Sequence, residues 1–211
     1  MVSRASFGPF EDDDFNGIAK IIQETWYPKA ETPGLGLLEA CYDLSRCLSI
    51  STFSQVARMD DAPCGIVLAR GSKPHPRFTA RWTEANQSFL YQLELSDPEA
   101  AEIFLSNMAA IDRTNETMHA AAALPQVNEI TLLIVDPSVQ NLGIGSVLLN
   151  AASSYLTAHD ATEAYLFTDT ECNWRFYEER GFKRIGTHRS SFSERRTLPR
   201  ELYLYSADLR S

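Results

Sequence analysis

Residues Glu129 to Leu156 read EITLLIVDPSVQNLGIGSVLLNAASSYL, and no other stretch restricts the fold as much. Ile130 to Val135 is a continuous apolar run, the pattern of a central strand covered on both faces. Asp136-Pro137 breaks the run and turns the chain. Ile144, Val147, Leu148, Ala151, Ala152 and Tyr155 then give a helix with a wide apolar stripe. Between strand and helix lies Gln140-Asn141-Leu142-Gly143-Ile144-Gly145-Ser146. A helix that begins in a Gly-x-Gly loop offers free N–H groups, its dipole favours negative charge, and glycine lets phosphate come close to the backbone. The stretch therefore predicts a diphosphate-binding strand–loop–helix.

The rest of the chain narrows the class. At 211 residues with 44% hydrophobic content, one folded domain over 1–211 with a sizeable core is expected. The formal net charge of −9 argues against nucleic acid held by phosphate neutralisation. It suits cationic acceptors such as amines, but a plain solubility role accounts for it more simply. The N-terminus lacks an apolar signal core, and no run of about 18 apolar residues suggests a membrane span. Cys41, Cys47, Cys64 and Cys172 form no Cys-x-x-Cys pair, so free thiols in a cytoplasmic protein are expected. His75, His119, His159 and His188 are scattered, and no metal site is expected.

Along the chain, residues 4–11 carry a weak strand signal. Phe15, Ile18, Ile21, Ile22 and Trp26 predict a helix ended by Pro28. Leu37 to Leu48 predicts a second helix. Ser51 to Met59 and Cys64 to Ala69 predict a hairpin turned at Asp60-Asp61-Ala62-Pro63. From about Gly71 to Val127 the pattern changes to a helical insertion. Pro74 and Pro76 mark a loop, and Ser96-Asp97-Pro98-Glu99 reads as a capping box that opens a helix ending near Leu124. After the diphosphate helix come a strand at Glu163 to Thr168, a short helix at Trp174 to Arg180 closed by Gly181, and strands at Phe182 to Thr187 and Glu201 to Ala207.

Three diphosphate sites compete. A dinucleotide loop wants Gly-x-Gly-x-x-Gly, but its third glycine position here is Leu148. A P-loop wants Gly-Lys-Ser/Thr, but Ser146 follows Gly145 directly. The third pattern is a strand, Val-Asp-Pro, Gln140-x-x-Gly143-x-Gly145, a helix, and then Phe176-Tyr177-x-x-x-Gly181-Phe182. This combination resembles the GNAT superfamily of acetyl-CoA-dependent N-acyltransferases. The two motifs span about 60 residues in the family's order, and residues 4–70 match it in element order only. The resemblance implies an α/β (mixed α+β) GNAT-type fold: a largely antiparallel twisted central sheet flanked by helices, with the insertion ahead of the central strand.

It also implies roles. The amides of Asn141, Leu142, Gly143, Ile144, Gly145 and Ser146 would hold the coenzyme diphosphate, and Gln140 would position the loop. The pantetheine arm would run beside the central strand at Leu133, Ile134 and Val135, where the strand splays from its neighbour at a bulge. An arm rich in amides needs such partners. An N–H near Leu133 or Ile134 would face the thioester oxygen, while the Leu133 and Val135 side chains read as core. Tyr177 matches the family's general acid, and a neutral hydroxyl can donate. Glu129 is the candidate base, at the offset that the histone-acetylating branch uses. By period two it shares a face with Thr131, Leu133 and Val135, and by strand rise it lies about 13 Å from Leu133, so a proton would pass through water. Asn173 is four residues before Tyr177, where the family's pantetheine-contacting asparagine is seven before, at Thr170 here. It serves either as a helix cap or as a ligand contact. Cys172 reads as a packed thiol rather than a reactive one.

The expected activity is transfer of acetyl from acetyl-CoA to a primary amine of a small molecule or peptide, by direct attack in a ternary complex without a metal. A non-catalytic acetyl-CoA sensor and a transferase of longer acyl groups remain open. A monomer and a homodimer are both compatible, with no nucleic-acid or membrane partner. Trp26, Tyr27, residues 35–42 and the insertion are candidate acceptor walls. Trp82, Phe89 and Tyr91 read as packing or as pocket lining, and Asp12, Asp13 and Asp14 as a solvated turn rather than an attractor for a cation.

Overall fold

The apolar run at the centre of the chain becomes a strand in the middle of a seven-stranded sheet. The computed structural model describes residues 5–28, 34–73 and 76–210. In chain order these form β1 (Ala5–Gly8), α1 (Phe15–Trp26), α2 (Leu35–Ile50), β2 (Phe53–Met59), β3 (Ala62–Arg70), α3 (Pro76–Ser96) and α4 (Pro98–Ala122). There follow β4 (Glu129–Val135), α5 (Ile144–Ala158), β5 (Glu163–Asp169), α6 (Arg175–Glu178), β6 (Lys183–Arg189) and β7 (Glu201–Asp208). The strand order is β1-β2-β3-β4-β5-β7-β6. Neighbours run antiparallel except β4 and β5. Among the described residues no helix is long and apolar enough to cross a membrane.

Each sheet face has its own core. Ile18 and Ile22 of α1 and Leu44 and Leu48 of α2 pack on Val56, Ile66, Leu68, Leu132 and Ile134. On the other face Ile144, Leu148, Leu149 and Leu156 of α5 pack on Val67, Ala69, Ile130 and Leu166. Each such fully buried aliphatic side chain stabilises the fold by about 2 kcal/mol before entropy is charged against it.

β4 carries two irregularities. Its register with β3 shifts so that Leu68 faces Leu132 while Ala69 faces Ile130, which leaves Thr131 as an extra residue. This bulge breaks the period-two expectation. Ile130, Leu133 and Val135 pack with the α5 core, whereas Leu132 and Ile134 join the α1–α2 core. Thr131 meets Ser51 Oγ at 2.7 Å, at the C-terminal end of α2. Thr131 therefore does not share a face with Leu133 and Val135. The second irregularity is the parallel seam. The recorded β4–β5 pairing is Glu129 with Tyr165, with Tyr165 N–H donating to Asn128 O at 3.0 Å. Beyond it the two strands diverge, and the β5-side edge of β4 is left without a strand partner among the described residues.

The insertion forms two long helices. Pro76 begins α3, so the sequence-based loop is shorter than expected; Pro74 lies outside the described residues. Trp82 is buried, stacked on Phe15 at 5.2 Å and edge-on to Phe10 at 5.7 Å, and Phe89 stacks on Phe15 at 5.6 Å. These rings anchor α3 to α1, and Tyr91 faces solvent. The cap of α4 is Asp97, whose side chain accepts from Ala100 N–H, and Ser96 still belongs to α3. Pro98 disfavours helical backbone at the residue before it, so the break and the cap both fall on Asp97. The acidic Asp12–Asp14 turn is not simply solvated. Asp14 is buried and holds Arg58 through Nε at 2.8 Å, and Asp12 pairs with Arg81.

Candidate active site

On the α5 side, a turn, a loop and a short helix meet the free edge of β4. Asp136 Oδ1 accepts from Ser138 N–H and starts the 3-10 turn Pro137–Val139 that carries the chain away from β4. Gln140, Asn141, Leu142 and Gly143 are exposed. Gly143 is the residue before α5 and takes φ +80, a left-handed conformation that glycine adopts without a steric penalty. Ser146 and Val147 donate to Gly143 O, so the loop amides before them point away from the helix.

Gly145 joins this loop to the second motif. A Cβ there would lie 3.2 Å from the Phe176 ring and 3.7 Å from Val135 Cγ2. The close approach locks the start of α5 against β4 and α6. Arg180, which the sequence reading passed over, completes the corner. Its Nε and Nη2 donate to Ser146 Oγ at 3.1 and 2.7 Å, and its Nη1 donates to Phe176 O at 2.8 Å. Its guanidinium lies 3.7 Å from the Phe176 ring centroid. A fixed positive charge thus stands beside the exposed amides, at the end of α5 where the dipole is positive.

Tyr177 packs on Phe176, Phe182 and Tyr205, with ring centroids 5.3, 6.0 and 6.3 Å away. Burial, reinforced by nearby Cys172, holds its hydroxyl well above the usual tyrosine range. The hydroxyl is therefore protonated at neutral pH. Burial and Asp169 push the Cys172 thiol up to about 12, which makes it an inert thiol. Asn173 is exposed, and its carbonyl accepts from Phe176 N–H at 3.2 Å. The cap residue of α6 is Trp174, without a side-chain cap, so the helix-cap reading of Asn173 is corrected. Asp169 takes the local amides instead, accepting from Glu171 and Cys172 N–H.

On the opposite face, Glu129 begins β4 where β4 and β5 are still paired. Its carboxylate accepts from Arg70 Nη2 at 2.6 Å, and Arg70 also donates to Tyr165 Oη at 3.3 Å. Burial raises the Glu129 pKa; Arg70, then Arg46 and His119, oppose the rise. Burial and the Glu129 charge push Tyr165 up to about 12.

The insertion closes over this corner. Phe104 of α4 meets Tyr27 and Tyr42 edge-on. Arg46 of α2 donates through Nη1 to both oxygens of Asp112 at 3.1 and 2.9 Å. His119, a further stretch along α4, packs on Tyr165 at 4.8 Å. Asp43 is buried, accepts from Tyr27 Oη at 3.2 Å, and has its pKa raised by burial. Asp43 and Arg46 lie about one turn apart on α2, off the stripe of Leu37, Leu38, Cys41, Leu44 and Leu48, so the sequence reading passed them over. Among the described residues no group of three or more His, Cys, Asp or Glu side chains is arranged to hold a metal ion.

A mixed sheet that opens between two parallel central strands, with a Gly-x-Gly helix start at the opening, defines an acyl-coenzyme A transferase fold. The family model for the acetyltransferase (GNAT) domain matches residues 84–194, more than half of the chain, and the protein belongs to that family. The family uses acetyl-CoA. Solved structures agree on the fold. The protein PH1933 from Pyrococcus horikoshii OT3 is 14% identical, with 97% of this chain and 98% of that chain covered at TM-score 0.60. An aminoglycoside 6'-acetyltransferase type Ii is 14% identical, with 97% of each chain covered at TM-score 0.57. Naa50 of Arabidopsis thaliana, in complex with the bisubstrate analogue CoA-Ac-MVNAL, is 16% identical, with 97% and 98% covered at TM-score 0.52. No curated protein matches the sequence.

Proposed function

We propose that the protein is an N-acetyltransferase that moves the acetyl group of acetyl-CoA directly onto a primary amine in a ternary complex. The observation that carries this reading is the divergence of β4 from β5 beside the Gly143–Ser146 helix start. The free edge of β4 at Leu133, Ile134 and Val135 offers main-chain partners to the pantetheine arm. The loop from Gln140 to Ser146, exposed as far as Gly143 and with Arg180 at its side, suits the diphosphate. The coenzyme's needs and the residues present therefore fit. Asn173, exposed beside α6, is free to reach the arm.

In the reaction the amine nitrogen forms a bond to the thioester carbonyl carbon, and the carbon–sulfur bond breaks. An amide N–H of β4 near Leu133 stabilises the oxygen as charge builds on it. Tyr177, kept neutral by burial, gives its proton to the departing thiolate. Glu129, raised by burial, takes the ammonium proton through water across about 13 Å of strand. Two structural neighbours, an aminoglycoside acetyltransferase and an enzyme bound to a CoA–peptide conjugate, support an amine of a small molecule or peptide as acceptor. The test is calorimetry with acetyl-CoA, followed by an amine screen that reads release of free coenzyme thiol. Saturable binding with thiol release for one amine class is expected. No binding of any acyl-CoA overturns the reading.

A further inference from the structure

Asp169 ends β5 on the sheet face that α4 covers. Tyr165 and Phe167 of β5 pack there with Leu202 and Leu204 of β7 and Met118 of α4. β5 and β7 pair without a register shift, and Asp169 lies opposite Leu202, so by period two its side chain leaves from the same face. The parallel seam then fixes its height along the sheet. Glu129 of β4 pairs with Tyr165 of β5. Leu133 is four residues beyond Glu129, and Asp169 is four beyond Tyr165. The two strands rise in step, so Asp169 stands about level with Leu133, across the gap into which β4 and β5 diverge. Glu129 is about 13 Å further back. Cys172 ties Asp169 to the general acid as well: its thiol bonds the Asp169 carboxylate, and it stands beside Tyr177.

Asp169 also differs from the other carboxylates on this side in having no countercharge. Glu129 has Arg70, Asp112 has Arg46, and Asp43 has Arg46 at 3.9 Å. Among the described residues no cationic side chain forms an ion pair with Asp169. Its other hydrogen bonds come from its own turn, where Oδ1 accepts from Glu171 N–H at 2.7 Å and from Cys172 N–H at 3.2 Å. Burial raises its pKa, and only those amides and the Cys172 thiol oppose the rise. A partly buried carboxylate without a cation is costly, and a cation that arrives with the ligand relieves that cost.

We propose that Asp169 receives the ammonium group of the acceptor beside the thioester, so that the substrate is an amine that arrives as a cation. This rests on the acetyltransferase reading and leaves its chemistry unchanged. Asp169 binds and orients the nitrogen, and the proton still leaves through water towards Glu129. An amine that is uncharged at neutral pH, such as an arylamine, leaves the carboxylate unpaired.

The test compares each amine from the acceptor screen with the alcohol of the same shape, which lacks the charge. Calorimetry on the complex with coenzyme A gives the affinity of each, in the wild type and in Asp169→Asn. Asparagine keeps an Oδ1 acceptor for the Glu171 and Cys172 N–H groups and removes the charge. The wild type is expected to prefer amine to alcohol by about tenfold, the size of one charge-assisted hydrogen bond. In the variant that preference should fall towards one and KM for the amine should rise by a similar factor. Acetyl-CoA affinity and the unfolding midpoint should hold. Asp169→Glu, which restores the charge, should recover part of the preference. Asp61→Asn, at an exposed carboxylate in the β2–β3 turn, controls for net charge and should change nothing. A preference that survives in Asp169→Asn overturns the proposal. So does equal loss of amine and alcohol, which would make Asp169 a brace for the turn before α6. So does a protein that binds acetyl-CoA but no amine. All three leave the coenzyme reading standing, whereas failure to bind any acyl-CoA overturns both.

Discussion

The two sides of the β4 opening are built on different plans. The α5 side is assembled from two short continuous pieces, residues 135–146 and 174–182, and it presents main-chain groups. The α2–α4 side is assembled from side chains of α2, β3, α4, β4 and β5, between Asp43 and Tyr165. A diphosphate and an amide-rich arm can be met by backbone, whose geometry a Gly-x-Gly spacing dictates. An amine of particular shape has to be met by side chains, and no local spacing announces which ones. One side is therefore announced by a local motif, while the other is not.

The largest effect expected from breaking this contrast concerns the insertion. If α3 and α4 form the acceptor wall, the rings that anchor α3 should matter to the fold and little to the coenzyme. Trp82→Ala removes a buried ring stacked on Phe15. A loss of about 4 kcal/mol in denaturant unfolding is expected. Under native conditions, acetyl-CoA affinity should remain. An unchanged unfolding midpoint would mean that α3 is held by other contacts.

The next effect falls on the coenzyme side. Tyr177→Phe keeps the ring packed against Phe176 and Tyr205 but removes the proton. The turnover number should fall by about 100-fold with coenzyme affinity retained. Unchanged turnover with the true acceptor would remove Tyr177 from the mechanism, and equal loss of affinity would make it a packing residue.

Sequence reached the two sides unequally for physical reasons. The helix over Phe15–Trp26, the β2–β3 hairpin and the β4–loop–α5 unit follow from apolar period and turn chemistry, which are local. The bulge at Thr131 does not, because an extra residue in a ladder is defined only by the register of its partner β3. It moved Thr131 to the α2 face, away from Leu133. Residues 76–96 mix polar positions with aromatics that a period count assigns poorly; the rings of Trp82 and Phe89 make sense only against Phe10 and Phe15, which lie over 60 residues earlier. The Arg46–Asp112 pair joins residues 66 apart in sequence, and nothing near either one signals the other. Arg180 was hidden differently. It falls among the unspecified positions of the Tyr-x-x-x-Gly motif, and only its reach to Ser146 gives it a role.

A smaller effect tests the link between the sides through Glu129. Its carboxylate must be ionised to take a proton, and burial raises its pKa above the ordinary glutamate range. The sign follows: kcat/KM for the amine should rise with pH through that raised value and fall below it as the carboxylate is protonated. Glu129→Gln should lower kcat/KM by about tenfold and erase this acidic limb. A limb that survives in the glutamine variant would belong to another group.

The smallest effect is at Arg180, and its modest size is itself informative. The Arg180 side chain is 30% exposed, and its guanidinium already engages Ser146, Phe176 O and Glu179. Part of its charge is therefore screened before any phosphate arrives. The amides from Asn141 to Gly145, by contrast, have no competing partner in the helix, whereas that of Ser146 already donates to Gly143 O. Main-chain groups should therefore supply most of the grip, and Arg180→Gln should weaken acetyl-CoA binding by only about fivefold at low salt, and by less as salt rises. S-acetyl-pantetheine, which has no diphosphate, should bind both forms equally. If both ligands lose equally, Arg180 acts by holding Ser146 and Phe176 in place. If acetyl-CoA loses far more than fivefold, side-chain charge rather than backbone carries the diphosphate, and the contrast between a backbone-built side and a side-chain-built side fails where it looked firmest.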